Sequence, residues 1–400
     1  RGKWSFANLP VIPPHFDLRP IAKTEARLKV LQKLIKRKDI NRLINACDAG
    51  REGELIFRLI AQHTKATQKV ERLWLQSMTP QAIKDGFGKL RSDEELMNLA
   101  NAARCRSESD WLIGINGTRA MTAFNSKSGG FFLTTVGRVQ TPTLSIVVER
   151  EELIRKFISR DYWEVTAEFI CAAGIYQGRW FDPKFKKDSK DANADPEKKD
   201  SRLWSEAAAA SIVAACHDKT GKVREESKPS SQAAPQLFDL TSLQREANAR
   251  FGFSAKNTLG LAQALYERHK VLTYPRTDSR ALPEDYLPTV TSTLEMLAES
   301  SDNYYPHAAQ ILNNSWVKPN KKIFDNSKIS DHFAIIPTLQ APKNLSEPEQ
   351  KLYDLVVRRF MAIFFPSAEF KVTTRITEVS GHLFKTDGKI LINPGWLAVY

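Results

Sequence analysis

The sequence predicts a multidomain chain that joins an α/β region, a helical region and a β region interrupted by a further helical insertion. Three patterns predict it. The first hundred residues alternate helical and strand-like apolar spacing, residues 93–160 are helical except for one glycine-rich break, and β-branched and aromatic runs at 162–181 return at 371–392. Four hundred residues exceed one ordinary core, so two to four domains are expected, some of them discontinuous.

In chain order, residues 23–36 predict a helix with Leu28, Leu31, Leu34 and Ile35 on one face. A short strand at 43–47 follows, then a helix from about Glu52 with Leu55, Ile56, Leu59 and Ile60 at helical spacing, then a strand at 73–75. The helical region breaks at Ser128-Gly129-Gly130 and restarts near Thr141-Pro142. Strands are expected at 162–170 and 176–181, an exposed polar loop at 184–201, and strands again at 371–378 and 383–392. Between them, residues 240–251 and 254–269 predict two helices joined at Phe251-Gly252-Phe253, with Ser254 as N-cap. Helix, tight turn, helix and a following strand is a winged-helix-like order. The sequence contains no internal repeat.

Lys and Arg number 59 against 46 Asp and Glu, a net charge of +13, in a chain that is 42% apolar. A globular protein with that excess is expected to meet a polyanion, most simply nucleic acid. Cys47, Cys105, Cys171 and Cys216 are scattered, with neither a Cys-x-x-Cys pair nor paired histidines, so a structural zinc is not expected and a reducing compartment is. Neither a long apolar run nor a secretory segment at residues 1–8 appears, which predicts a cytoplasmic protein without a membrane span. The first residue is not Met and the end at 396–400 is apolar, so a fragment of a longer chain is expected.

Residues 272–280 read Leu-Thr-Tyr-Pro-Arg-Thr-Asp-Ser-Arg and set Tyr274 two positions from Arg276. A phenol with a pKa of about 10 attacks phosphorus only beside cations that stabilise phenolate and phosphate. The alternative is a structural tyrosine before a proline turn. Asp48-Ala-Gly-Arg-Glu-Gly-Glu54 lies at the carboxyl end of the first predicted strand, where α/β sheets place ligands. Asp48 and Glu52 there can converge as oxygen ligands for Mg²⁺, or Asp48 can cap the helix while Glu52 and Glu54 complement its dipole.

In Thr135-Val-Gly137-Arg138-Val-Gln140-Thr-Pro-Thr143, Arg138 and Gln140 suit a sugar-phosphate chain or a base edge, or belong to an ordinary loop and N-cap. Residues 104–111 add Arg106 on a helix, and Asp110 could orient either Arg138 or Arg106. His332, in Ser330-Asp-His-Phe-Ala-Ile-Ile-Pro-Thr338, can donate to a phosphate or relay a proton, or is structural.

Taken in this order, the four stretches at 48–54, 135–143, 273–279 and 332–338 resemble the type IA DNA topoisomerases, in their bacterial topoisomerase III branch. The likeness runs from about residue 4 to 400. It implies a padlock-shaped fold: a Toprim α/β domain at 1–97, a helical domain for single-stranded DNA at 98–160, the two parts of a β arch at 161–225 and 346–400, and an inserted domain at 226–345 that carries the tyrosine. It further implies that Tyr274 forms a 5′-phosphotyrosyl link without ATP, that Arg276 stabilises the scissile phosphate and that His332 assists. Asp48 and Glu52 would belong to a Mg²⁺ site. Thr135, Gly137, Arg138 and Gln140, with Arg106 and Asp110, would meet the DNA. The chain lacks a Gly-x-x-x-x-Gly-Lys-Ser/Thr nucleotide loop, in keeping with that.

The resemblance implies a monomer acting in the cytoplasm at the nucleoid, with a helicase as a candidate partner. Two departures stand out. Many relatives have Asp where this chain has Gly50, which predicts a weaker or altered dependence on Mg²⁺. The family's first Toprim strand, with a Glu and a nearby Lys, is expected before Arg1. Two other classes fit parts of the pattern: a Toprim nuclease or primase-like enzyme using Asp48 and Glu52 without Tyr274, and a non-catalytic single-strand-binding clamp.

Overall fold

A computed structural model describes residues 4–186, 195 and 197–400, and the centre of the polar stretch predicted at 184–201 lies outside the described residues. Two compact units emerge. The first combines residues 4–156 with 236–360, the second residues 157–235 with 361–400.

The first unit opens with α1 (Glu25–Ile35), β1 (Arg42–Asn45), α2 (Arg51–Thr64), β2 (Lys69–Arg72), α3 (Pro80–Gly88) and β3 (Arg91–Ser92). β1 and β2 pair in parallel through the α2 crossover, with Arg42 opposite Lys69 and Asn45 opposite Arg72. β3 adds antiparallel to β2, so the sheet order is β1-β2-β3. The strand expected at 73–75 is therefore Lys69–Arg72. Apolar content misplaced it, because three of the four ladder residues, Lys69, Glu71 and Arg72, are polar while Leu73, whose amide still bonds to Asn45 O at 3.0 Å, is buried just beyond the end.

α3 begins at a Thr79 cap whose hydroxyl accepts from Ala82 N, with Pro80 in the first turn. α4 (Asp93–Asn125) starts from a capping box of Ser92 and Glu95 and runs 33 residues. α5 (Gln140–Arg155) follows the predicted break and ends before residue 160.

The remainder of the first unit is mainly helical, around an apolar core. α7 (Leu240–Phe251), α8 (Ala255–Glu267), α9 (Leu287–Ser300), α10 (Tyr305–Asn313) and α11 (Glu347–Ala362) surround fully buried Phe238, Leu243, Leu265, Leu282, Leu294, Ile335, Leu352 and Phe360. Gly252, at φ 69°, ends α7 in the left-handed conformation that favours glycine, and Ser254 Oγ accepts from Asn257 N to start α8. The regular strand expected after α8 is reduced to one bridge, Leu272 to Pro337.

The second unit is a five-stranded sheet in the order β4-β5-β8-β7-β6, made of β4 (Thr166–Cys171), β5 (Gly174–Phe181), β6 (Lys222–Gln232), β7 (Ala368–Val379) and β8 (His382–Asn393). Ser380 and Gly381, both at positive φ, make the two-residue turn between β7 and β8 that matches strand twist. α6 (Glu206–Cys216) packs Ala209 and Ile212 against Val165, Val379 and Phe384. All four cysteines are free thiols. Among the described residues no helix is long and apolar enough to cross a membrane.

Candidate active site

The site lies within the first unit and is built by two long-range alignments. In the first, β1 leads into the loop 46–50 and then into the start of α2. Arg72, 2% exposed at the end of β2, straps that loop down: Nη1 donates to Asn45 O at 2.8 Å and Cys47 O at 2.7 Å, and Nη2 to Asp48 O at 2.5 Å. Its charge is balanced by Glu54, 1% exposed, which also accepts from Asn45 Nδ2 at 3.0 Å and Arg58 Nε at 2.8 Å. Gly53 admits the close approach of helix and loop, since a Cβ there would lie 2.2 Å from Asp48 O. With its backbone held, Asp48 turns an exposed carboxylate outward.

In the second alignment, residues 272–281 and 329–338 run side by side. Thr273 N donates to Ile336 O at 3.0 Å, Thr273 Oγ1 to Ala334 O at 2.9 Å and Thr277 Oγ1 to His332 O at 2.9 Å, while Ser279 Oγ reaches Lys328 O. Threonine and serine hydroxyls thus do the pairing that a regular ladder would have done. The result sets the half-buried Tyr274 ring 4.2 Å, centroid to centroid, from the His332 ring, with Tyr266 edge-on at 5.3 Å. Gln76 Nε2 ties the α/β region to this pair through Ile329 O at 2.7 Å, and the hydroxyls of Ser77 and Thr79 do so through Asp285.

The two alignments meet at His332, whose Nε2 is 3.6 Å from Asp48 Oδ2. Tyr274, Asp48 and His332 line one cavity of about 550 Å³. Glu52, Arg106, Arg276, Asp278, Asp331 and His332 line a second of about 630 Å³. Arg106 Nη1 donates to Glu52 Oε1 at 3.0 Å. A phenol, an imidazole, three guanidinium groups (Arg51 lines the second cavity too) and several carboxylates are therefore concentrated on adjoining cavities, a donor set suited to a phosphodiester. Among the described residues no group of three or more His, Cys, Asp or Glu side chains is placed to hold a metal ion.

Residues 94–400 match the family model described as DNA topoisomerase. The chain belongs to the type IA DNA topoisomerase family. It is 40% identical over 401 residues to DNA topoisomerase 3 of Bacillus licheniformis and 39% identical to that of Bacillus subtilis, in each case over 99% of the chain. DNA topoisomerase 3 of Bacillus cereus is 40% identical over 403 residues. The chain spans about half the length of these relatives, 52% of each. The full-length topoisomerase I of Thermotoga maritima superposes with a TM-score of 0.64 over 95% of this chain and 58% of its own, at 21% identity, a likeness of fold.

Within this chain the residues singled out by sequence fall into two groups. Tyr274, Arg276, His332, Asp48, Glu52 and Arg106 line the two adjoining cavities. Thr135, Gly137, Arg138 and Gln140 lie on the segment that leads along α4 into α5 and line neither of them. Asp110 pairs with Arg138, Nε to Oδ1 at 2.6 Å, while Arg106 takes Glu52 instead.

Sequence reasoning missed Asp331, noted only as an acid beside His332. Its carboxyl is pushed above the usual range by burial and by the negative charges of Asp48 and Asp278, against the opposing pull of His332. It also missed Arg72, a cation inside a polar strand, for which no local signal existed.

Proposed function

We propose that the protein cleaves and rejoins single-stranded DNA through Tyr274, relaxing negative supercoils or separating linked strands. The observation that carries this is the stacking of Tyr274 on a histidine that contacts Asp48, which draws the phenol and the acidic loop of α2 together from distant parts of the chain. The phenolic oxygen attacks phosphorus. A new O–P bond forms as the bond to the 3′ oxygen breaks, the phosphate stays on the tyrosine as a 5′-phosphotyrosine, and the 3′ oxygen takes a proton and leaves as a hydroxyl. Arg276 and Arg106 neutralise the phosphate oxygens, His332 accepts the phenol's proton, and rejoining reverses each step. Since the link keeps the energy of the broken bond, no ATP is consumed.

A Mg²⁺ ion held by Asp48 and Glu52 fits the donor chemistry, because this ion is content with one or two carboxylates, waters and phosphate oxygens. When bound, the ion supplies charge against the phosphate. Thr135, Gly137, Arg138, Gln140 and Asp110 guide the strand. We place a Toprim domain at 1–97 and the helical strand-binding domain at 98–160; the arch and the tyrosine domain, expected at 161–225 with 346–400 and at 226–345, are better divided at 235 and 360, which keeps β6 whole and leaves most of α11 with the tyrosine domain. The protein works as a monomer in the cytoplasm at the nucleoid, with a helicase as candidate partner.

The test is a labelled single-stranded oligonucleotide incubated with Mg²⁺ and the protein, followed by denaturation. Label should remain on the protein, and Tyr274→Phe should abolish it while binding stays within about twofold. Cleavage without protein-linked ends would mean a nuclease, and binding with no cleavage a clamp.

A further inference from the structure

Among the described residues the Tyr274 hydroxyl has no hydrogen-bond partner, so packing of its ring, rather than a bond to its oxygen, sets the direction of the phenol. Two rings supply that packing. His332 lies tilted by 42° at 4.2 Å, and Tyr266 stands at 77° and 5.3 Å, centroid to centroid. His332 is a wall with other tasks, since its Nε2 faces Asp48 Oδ2 at 3.6 Å and the proposed reaction hands it the phenol's proton. Tyr266 has none: its own hydroxyl is likewise without a hydrogen-bond partner among the described residues.

The local fold keeps the two tyrosines together. Tyr266 is the penultimate residue of α8, and Lys270, just past its end, takes the left-handed φ of 58°. Arg268 N and His269 N both bond to Ala264 O, at 3.0 and 3.1 Å, and Val271 N bonds to Leu265 O at 2.9 Å. The chain thereby doubles back on α8, with Leu265, Val271 and Leu272 all buried. Thr338 fastens the return, its N donating to Val271 O at 3.0 Å and its Oγ1 to Lys270 O at 2.7 Å. Pro275 confines the Tyr274 backbone to extended values, which leaves the side-chain torsions for the neighbouring rings to fix. Tyr266 lines the same cavity as Tyr274, His332 and Asp48, so it meets the reacting ring without belonging to the core.

We propose that Tyr266 is a positioning residue for the cleavage step: its ring holds the Tyr274 phenol in the attacking orientation while His332 takes up the proton and keeps its contact with Asp48. This rests on the reading of Tyr274 as the nucleophile. Displacement at phosphorus needs the attacking oxygen aligned with the leaving one, so a ring free to swing spends less time in line and reacts more slowly. The ring edge does this work and the unbonded hydroxyl does not.

The experiment times single-turnover adduct formation on a saturating labelled single strand with Mg²⁺, for wild-type protein, Tyr266→Leu and Tyr266→Phe, and measures strand affinity alongside. Leucine fills most of the space without a ring, and at a position 38% exposed it does not threaten folding, which the unfolding midpoint checks. Loss of one edge-on ring contact predicts that Tyr266→Leu forms the adduct about 2- to 12-fold more slowly at unchanged affinity, and that Tyr266→Phe returns to within about twofold of wild type. Equal rates in all three proteins, equal slowing in the two variants, or a loss confined to affinity would overturn the proposal. NMR relaxation of a ¹³C-labelled Tyr274 ring reads the hold without the chemistry: the ring should be rigid in wild type and Tyr266→Phe and looser in Tyr266→Leu. That pattern with no adduct from any of the three would sink Tyr274 as nucleophile and leave Tyr266 as the residue that orients its ring, whereas unchanged ring mobility would overturn Tyr266.

Discussion

The backbone of Gly50 and the carboxylate of Asp331 share one volume. A Cβ on Gly50 would lie 2.2 Å from both Asp331 oxygens and 2.3 Å from Cγ, a distance no real side chain tolerates. Glycine is not demanded by conformation, since φ at Gly50 is −163°, an extended value open to any residue. Space favours it, since any side chain there obliges the Asp331 carboxylate to turn aside. The sequence alone suggested that Gly50 leaves the acidic loop one carboxylate short; the structure has Asp331 filling the gap. Gly50→Asp is therefore expected to destabilise the protein by about 1–3 kcal/mol through overpacking, and Asp331→Gly in the same molecule should recover most of that. Thermal unfolding of the two single variants and the double variant measures the coupling. Additive effects would refute the shared volume.

Arg72 predicts a larger loss. Its replacement by Met leaves Glu54 buried with Arg58 as its remaining cation and frees the carbonyls of Asn45, Cys47 and Asp48. Breaking one side of a buried pair costs about 3–5 kcal/mol. Arg72→Lys should recover little, because an ammonium cannot span the acceptors that a planar guanidinium reaches. The unfolding midpoint in urea checks the stability. Adduct yield at a temperature where the variant stays folded checks whether the carboxylate of Asp48 has moved.

What the sequence discloses and what it hides divide along the range of the forces involved. α7 and α8 could be read because their caps, apolar faces and Gly252 are local. β7 and β8 could be read because alternation and a Ser-Gly turn are local too. β6 could not: all eleven residues are exposed, so no alternation marks it, and its strand character comes wholly from pairing with β7. The site shows the same split. Tyr274, Arg276, Asp48, Glu52 and His332 stand in compact motifs, whereas the pairing of Gly50 with Asp331 and the strap of Arg72 exist only once distant segments fold together.

Asp239 gives a pH-dependent prediction. It caps α7 by accepting from Ser242 N at 2.7 Å, and Arg280, at the end of the Tyr274 segment, donates to its other oxygen at 2.9 Å. Burial by itself would raise the Asp239 carboxyl, but the Ser242 bonds and Arg280 outweigh it and hold the group below the usual carboxylate value. The unfolded chain then binds this proton more readily than the folded one, so the stabilisation is present above about pH 4 and is lost as pH falls through the lower folded value. Asp239→Ala should cost about 1–2 kcal/mol at neutral pH as a lost cap and flatten the acid limb of the unfolding profile. A variant whose acid limb coincides with that of the wild type would rule this out.

Arg276 and Arg138 should differ in what they give to DNA binding. Arg276 lines the reaction cavity without a carboxylate in ion-pair range among the described residues, whereas Arg138 is already matched by Asp110. Each unmatched cation that meets a phosphate of a single strand steepens the dependence of log K on log salt by about 0.7, through release of one counterion. Arg276→Gln should therefore flatten that slope by about this amount. Arg138→Gln should flatten it by clearly less, because the pair carries no net charge and the strand gains little by releasing an ion there. Asp110→Asn, which frees Arg138, should steepen the slope instead. Titrations of a fluorescent single strand at four or five salt concentrations distinguish the three. Equal flattening by the two arginine variants would mean that Asp110 gives up Arg138 when the strand arrives, and that the pair orients the arginine beforehand without cancelling its charge in the complex.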